Sequence, residues 1–266
     1  MRETYDKKNP KMLNSAVCFI DILGFSSMIE ESCKNCNGNQ LLNKLYHSIK
    51  DNIEFIKSST QHSGAMNIFS DNIVIGKPVY DDGESELGQI FLGFAAYQLS
   101  LTLEGFFVRG GVSIGDYYAN EYLAYGPALL EAHNIECCSA KTPRIVLSQD
   151  AKNLVKYHLT YYSNPKHAPQ VRDVFIDTDG EWFINYLEAA IVSRDEEGYS
   201  CAYDVMIRHR DIVMSKINLF NNDTKVLKKY EWVAQYHNYF CKLNFAKSIE
   251  LQIKGVSNCG GFKFIA

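Results

Sequence analysis

The chain has 266 residues, of which 46% are hydrophobic and 22% charged, with a formal net charge of −4. This composition excludes the disordered and fibrous classes, and the acidic balance argues against a nucleic-acid partner, which calls for a basic surplus or stripe. No run reaches the ~18 apolar residues of a membrane-crossing helix, and the polar start MRETYDKKNPKML lacks an apolar signal segment, so no membrane partner and a cytoplasmic location are expected.

Residues 15–23 read as a buried strand that carries Asp21 close to its end. A carboxylate there needs a partner, because an isolated charge leaving a core costs several kcal/mol or neutralises. Residues 39–57 place Leu42, Leu45, Ile49, Ile53 and Ile56 at helical spacing. GAMNIF and NIVIGK follow as a hairpin with Ser70 and Asp71 at its tip. The stretch 85–103 is apolar nearly all round and reads as an interior helix. FFVRGGVSIGDYY is a long strand whose glycines signal a bulge or a close backbone approach. GPALLEAHNIECCSA starts a helix with proline at its first position, and RIVLS is another strand.

Beyond residue 157 the pattern changes. VRDVFIDTDGEWFINYLEAAI alternates strand-like runs around a Thr-Asp-Gly turn, and 199–220 and 224–246 read as amphipathic helices. No linker separates the two parts, so residues 1–156 are expected to form one domain and 157–266 a β/helical extension packed on it. The eight cysteines read as reduced thiols. Cys33 and Cys36 form a C-x-x-C without a second ligand pair, which favours a polar loop opening a helix over zinc, and Cys259 pairs with nothing in the sequence. His133 reads as a packed histidine on an apolar helix face.

The element order β-α-β-β-α-β is that of a ferredoxin-like palm, an α/β (α+β) class in which the end of the first strand meets the tip of the following hairpin. Asp21 and Asp71 then face each other. Two such carboxylates repel unless cations lie between them, and hard oxygen donors select Mg²⁺ or Mn²⁺; a pair of these divalent cations suits two-metal phosphoryl transfer.

On these residues the chain resembles the class III nucleotide cyclases. FIDILGFSSMI is similar to their metal-binding strand and IFSDNIVIG to their second-aspartate hairpin, while VRGGVSIGD and AYGPALLEA resemble two later elements, over residues 14–150. VFIDTDGEWFINYL and YEWVAQYHNYF resemble the extension of the bacterial Pycsar pyrimidine cyclases, which make cyclic CMP or cyclic UMP in antiphage defence.

The resemblance implies that Asp21, Asp71 and the Ile22 carbonyl hold the ions, and that Gly24, Phe25 and Ser26 offer N–H groups to the β- and γ-phosphates. Asn67 stands where purine-specific members carry a base-reading lysine, and Leu123 where a second base reader lies, a departure that favours a pyrimidine NTP, CTP or UTP. Tyr125 is a candidate for stacking on the base, as are Tyr117 and Tyr118, although aromatic strand residues are more often core. Leu130 and Asn134 occupy the positions of the family's transition-state asparagine and arginine. Arg109 is therefore the first candidate cation, with Lys141 and Arg144 behind it; its alternative is an ordinary pair with Glu104 or Asp116. The resemblance further implies a homodimer with composite sites and a separate cyclic-nucleotide-binding effector. A purine cyclase and a degenerate cyclase-fold binding module are the alternatives.

Overall fold

A computed structural model describes residues 4–60, 64–192, 199–256 and 261–266. The first half follows the expected order. β1 (Leu13–Ile22) leads into α1 (Phe25–Lys34) and α2 (Gly38–Thr60), then the hairpin β2 (Ala65–Phe69) and β3 (Asn72–Pro78), α3 (Glu84–Leu103) and β4 (Val108–Ala119). These strands run antiparallel in the spatial order β2-β3-β1-β4, the ferredoxin-like arrangement.

β1 shows why the sheet has two covered faces. Ala16, Cys18, Ile20 and Ile22 point into the main core with Phe91 and Phe94 of α3, whereas Val17 and Phe19 point to the opposite face. That second face is covered by α4 (Pro127–Cys138), with Ala128 and Ala132 packed over Val17, Val74 and Tyr117. Asp21 shares the odd-numbered parity of Val17 and Phe19, so its carboxylate stands on the α4 side. Of the expected apolar stripe on α2, Leu45 is buried and Ile49 packs on the core, but Leu42 is exposed and Leu41 takes its place; the side chains of Ile53 and Ile56, like Cys259, lie outside the described residues.

The sheet continues without a break into the C-terminal part. β6 (Ile145–Leu147) pairs parallel with β4, β8 (Trp182–Ile184) antiparallel with β6, β7 (Val174–Ile176) with β8, and β9 (Lys263–Phe264) with β7; β5 (Ala124–Tyr125) folds back on β4. α5 (Gln149–Leu159) runs through residue 156, capped by the Ser148 hydroxyl accepting from the Ala151 N–H. Two short helices, α6 (Gln170–Asp173) before β7 and α7 (Glu188–Val192) after β8, precede the long α8 (Tyr199–Leu219) and α9 (Thr224–Asn244), which close over the main core.

A buried polar knot ties the two parts together. Arg144, ahead of β6, pairs with Asp177 and Asp179 of the β7–β8 turn, and the Trp232 indole N–H of α9 donates to Asp177 at 2.7 Å. A second line runs through the extension: the Tyr186 hydroxyl, His209 and His237 are linked at 2.8 and 3.0 Å, and His237 reaches the Leu251 carbonyl at 2.9 Å. Among the described residues, no helix is long and apolar enough to cross a membrane.

Candidate functional site

Asp21 and Asp71 meet. Asp21 lies one residue before the end of β1, Asp71 in the two-residue turn between β2 and β3, and their carboxyl groups are within hydrogen-bonding reach of each other. Ser70 adopts a left-handed backbone (φ 59°) to make that turn. Burial, then the hydrogen bond and the charge of Asp71, push Asp21 up to about 7, with Glu136 adding to the rise and Arg109 opposing it. A carboxyl so raised at a strand end is one that lacks compensating positive charge.

Arg109 sits opposite Asp21 in the β1–β4 register, so the two side chains stand on one face. Its Nε donates to Asp21 Oδ2 at 3.2 Å and lies 2.7 Å from Oε1 of Glu136 on α4, which is 4% exposed. Of the expected alternatives for Arg109, Glu104 is taken by Arg208 and Lys44, and among the described residues no ion pair joins Arg109 to Asp116. Glu136 is absent from the sequence reading. It reaches Arg109 because α4 lies unusually close to β4: a Cβ on Gly111 would overlap the Ala132 carbonyl and Ile135. Two carboxylates, Asp21 and Glu136, therefore share one guanidinium while Asp71 adjoins Asp21, and the donor set at Asp21 and Asp71 fits divalent cations.

Directly after β1, Gly24 in the left-handed region (φ 75°) turns the chain into α1. No side chain caps this helix, and the Leu23 N–H donates back to the Phe107 carbonyl at 2.7 Å, which leaves the N–H groups of Phe25 and Ser26 without intrahelical acceptors beside the carboxylate pair. Such an end suits an anion. Ile22, the last residue of β1, is buried opposite Val108.

A cation missed in the sequence comes from the extension. The Tyr230 ring of α9 packs edge-on against Phe107 at 5.0 Å, and this docking brings Lys229 into the field of Arg109 and Asp21. Partial burial, then the Arg109 and Lys225 charges, hold the Lys229 ammonium below its usual range, with Asp21 pulling the other way. It forms no ion pair with any described residue. Arg144 does not stand behind Arg109 as a free cation, because its guanidinium is buried on Asp177 and Asp179.

The expected base-reading residues lie on the neighbouring edge. Asn67 of β2 donates through Nδ2 to the Asn120 carbonyl at 2.8 Å, and so anchors the β4–β5 turn that bears Leu123 and leads to Tyr125 of β5; its Oδ1 is buried without a hydrogen bond. Tyr125 and Leu123 are exposed, whereas Tyr117 and Tyr118 are core. Leu130, Asn134 and His133 all point to solvent from α4, so His133 is not the packed residue that its apolar neighbours suggest, although its ring edges against Phe19 at 5.0 Å.

No protein-family model and no curated protein matches the chain. Solved structures similar to it include a class III adenylyl cyclase-like ATP-binding protein from Pseudomonas aeruginosa, at 15% identity over 54% of this chain and 35% of that one (TM-score 0.42). The guanylyl cyclase Cya2 is similar at 13% identity over 54% of this chain and 78% of that one (TM-score 0.38). The chain thus spans about a third of the first structure and most of the second.

Proposed function

We propose that the chain is a nucleotidyl cyclase of the class III type that converts a pyrimidine NTP, CTP or UTP, into its 3′,5′-cyclic monophosphate and pyrophosphate. The observation that carries this reading is the Asp21–Asp71 pair beside the open N-terminus of α1. In the reaction the ribose 3′-oxygen loses its proton and bonds to the α-phosphorus, while the bond to the β-phosphate oxygen breaks. Asp21, Asp71 and the Ile22 carbonyl would hold two divalent cations, which when bound would supply activation of that hydroxyl and charge neutralisation at the departing pyrophosphate. The chain itself binds and orients. The N–H groups of Gly24, Phe25 and Ser26 hold the β- and γ-phosphates, Arg109 faces the reacting end, and Lys229 takes the triphosphate as its missing counter-charge.

Base choice rests on the face built from Asn67, Leu123 and Tyr125, where a single amide and apolar surface replace the two polar readers of a purine. The exposed Phe69, Tyr122, Leu123, Tyr125 and Leu130 support a homodimer in which each site takes its metal aspartates from one protomer and this face from the other. The product is read by a separate cyclic-nucleotide-binding effector in antiphage defence. A second reading, nucleotide binding without turnover, is favoured by Leu130 and Asn134 at positions that the resembling family uses for transition-state contacts.

Purified protein with Mn²⁺ and each of the four NTPs, followed by mass spectrometry of the products, tests the proposal. CTP or UTP is expected to exceed ATP and GTP by more than about tenfold in kcat/KM, a difference of only about 1.4 kcal/mol in transition-state binding. Asp71→Ala is expected to abolish turnover with the fold intact, and Lys229→Ala to raise KM for the NTP. Purine preference refutes the substrate, and near-normal turnover of Asp71→Ala refutes the metal pair. NTP binding without pyrophosphate release establishes the second reading instead.

A further inference from the structure

On the C-terminal half of α4, three side chains converge. His133, Glu136 and Cys137 stand at positions i, i+3 and i+4 of one helix, so they share a face. Their ligand atoms all lie within 4.8 Å of one another. Cys137 Sγ is 3.1 Å from Glu136 Oε2 and 3.6 Å from His133 Nε2. A tetrahedral zinc ion with ordinary Zn–S, Zn–N and Zn–O bonds holds such atoms roughly 3.4–3.6 Å apart.

Two of the three ligands are already oriented by neighbours that do not belong to the cluster. Glu136 is buried, and Arg109 engages its Oε1, which leaves Oε2 turned toward Cys137. The His133 ring is held edge-on by Phe19, with the two ring planes 88° apart. Outer partners of this kind fix the ligands of real metal sites and tune their basicity. His133 and Cys137 are solvent-exposed, so an ion has an entry path and room for a water as fourth ligand.

From this geometry we infer a transition-metal site on α4, formed by His133 Nε2, Glu136 Oε2 and Cys137 Sγ, that takes Zn²⁺. Binding replaces the thiol proton that Sγ now shares with Glu136, and that proton leaves to solvent. The mixed N, O and S donor set separates it from the all-oxygen pair at Asp21 and Asp71, because soft thiolate and imidazole favour zinc whereas carboxylates alone favour Mg²⁺ or Mn²⁺. The site does not depend on the cyclase reading. Sequence spacing hides it, since H-x-x-E-C matches no common zinc pattern and its buried carboxylate is set by the distant Arg109.

Co²⁺ titration of the full chain, stripped of metal by a chelator, tests the site by absorbance alone. The expected result is one tetrahedral Co²⁺ per chain, read by a near-ultraviolet thiolate-to-cobalt band and tetrahedral visible bands that saturate together, displaced by equimolar Zn²⁺ and unaffected by millimolar Mg²⁺. Cys137→Ser removes the near-ultraviolet band, and His133→Ala weakens binding at least tenfold, whereas Cys33→Ser/Cys36→Ser and Asp71→Ala leave both signals intact. No band in the wild-type protein, or a band that survives Cys137→Ser or disappears with Cys33→Ser/Cys36→Ser, overturns the site. Both ligand changes are at exposed positions, and thermal unfolding of each variant separates lost binding from lost structure.

Discussion

Asp21 is held near neutrality by the company it keeps, and that has a measurable consequence for cation binding. Burial and Asp71 raise its pKa to about 7, so near and below that pH the carboxyl holds a proton that an incoming cation must displace. The sign follows directly: the proton competes below about pH 7 and ceases to compete above it. Apparent Mn²⁺ affinity in the absence of nucleotide is therefore expected to fall by up to about tenfold per pH unit below 7 and to level off above it. Electron paramagnetic resonance of free Mn²⁺ measures this, and an affinity that is flat between pH 6 and 8 contradicts the arrangement. Arg109 tempers the rise without cancelling it, because it is shared with Glu136.

At the level of elements, the buried histidine line between α8 and α9 makes acid the weak side of the extension. Burial drives His209 well below 6.5 and His237 to about 4. Between those values and 6.5 the unfolded chain binds protons that the folded chain does not, so this pair's contribution to stability falls as pH falls. Asp173, at about 6, and Glu188, at about 7, are raised by burial and act in the opposite direction. Comparison with His209→Gln/His237→Gln cancels these carboxyl contributions. The wild-type Tm is expected to drop more steeply than that of the double variant from pH 6.5 to 4.5, and parallel curves contradict the assignment.

The same elements show what a linear sequence discloses. The two amphipathic helices of the extension are legible to within about two residues, because their apolar stripes repeat over some twenty positions. α1 is not, because none of its residues is fully buried and its short apolar face, with Phe25 and Met28 against the core, spans barely two turns. α5 had readable signals in its Ser148 cap and in Ala151, Val155 and Leu159, but only the structure assembles them. Asp21 and Asp71 are found from element order, since a strand end and a hairpin tip adjoin in this topology. Glu136 and Lys229 depend on how α4 and α9 dock, through Gly111 and through Tyr230 on Phe107, and no local pattern encodes either contact.

For the molecule as a whole, the proposed composite site makes assembly testable without another structure. An Asp71→Ala chain keeps a working base-reading face, and an Asn67→Ala chain keeps working aspartates. If each is severely impaired alone, mixing them with subunit exchange restores one good site in about half of the dimers, so activity is expected to approach about a quarter of wild type. No recovery between two impaired parents that do exchange contradicts the shared site. Within one chain, the unbroken sheet and the Arg144 knot make the two parts structurally dependent.

The line from Tyr186 through His209 and His237 to the Leu251 carbonyl admits only one assignment of protons. The carbonyl can only accept, so His237 carries its hydrogen on Nε2 and receives at Nδ1; His209 must then donate from Nδ1 and receive the Tyr186 hydroxyl at Nε2. Two imidazole hydrogens are thus locked away from water in fixed tautomers. In a one-dimensional proton spectrum of unlabelled protein they resonate downfield of the amide envelope and exchange slowly, and both vanish when the extension opens, which gives a magnetic signature of its integrity.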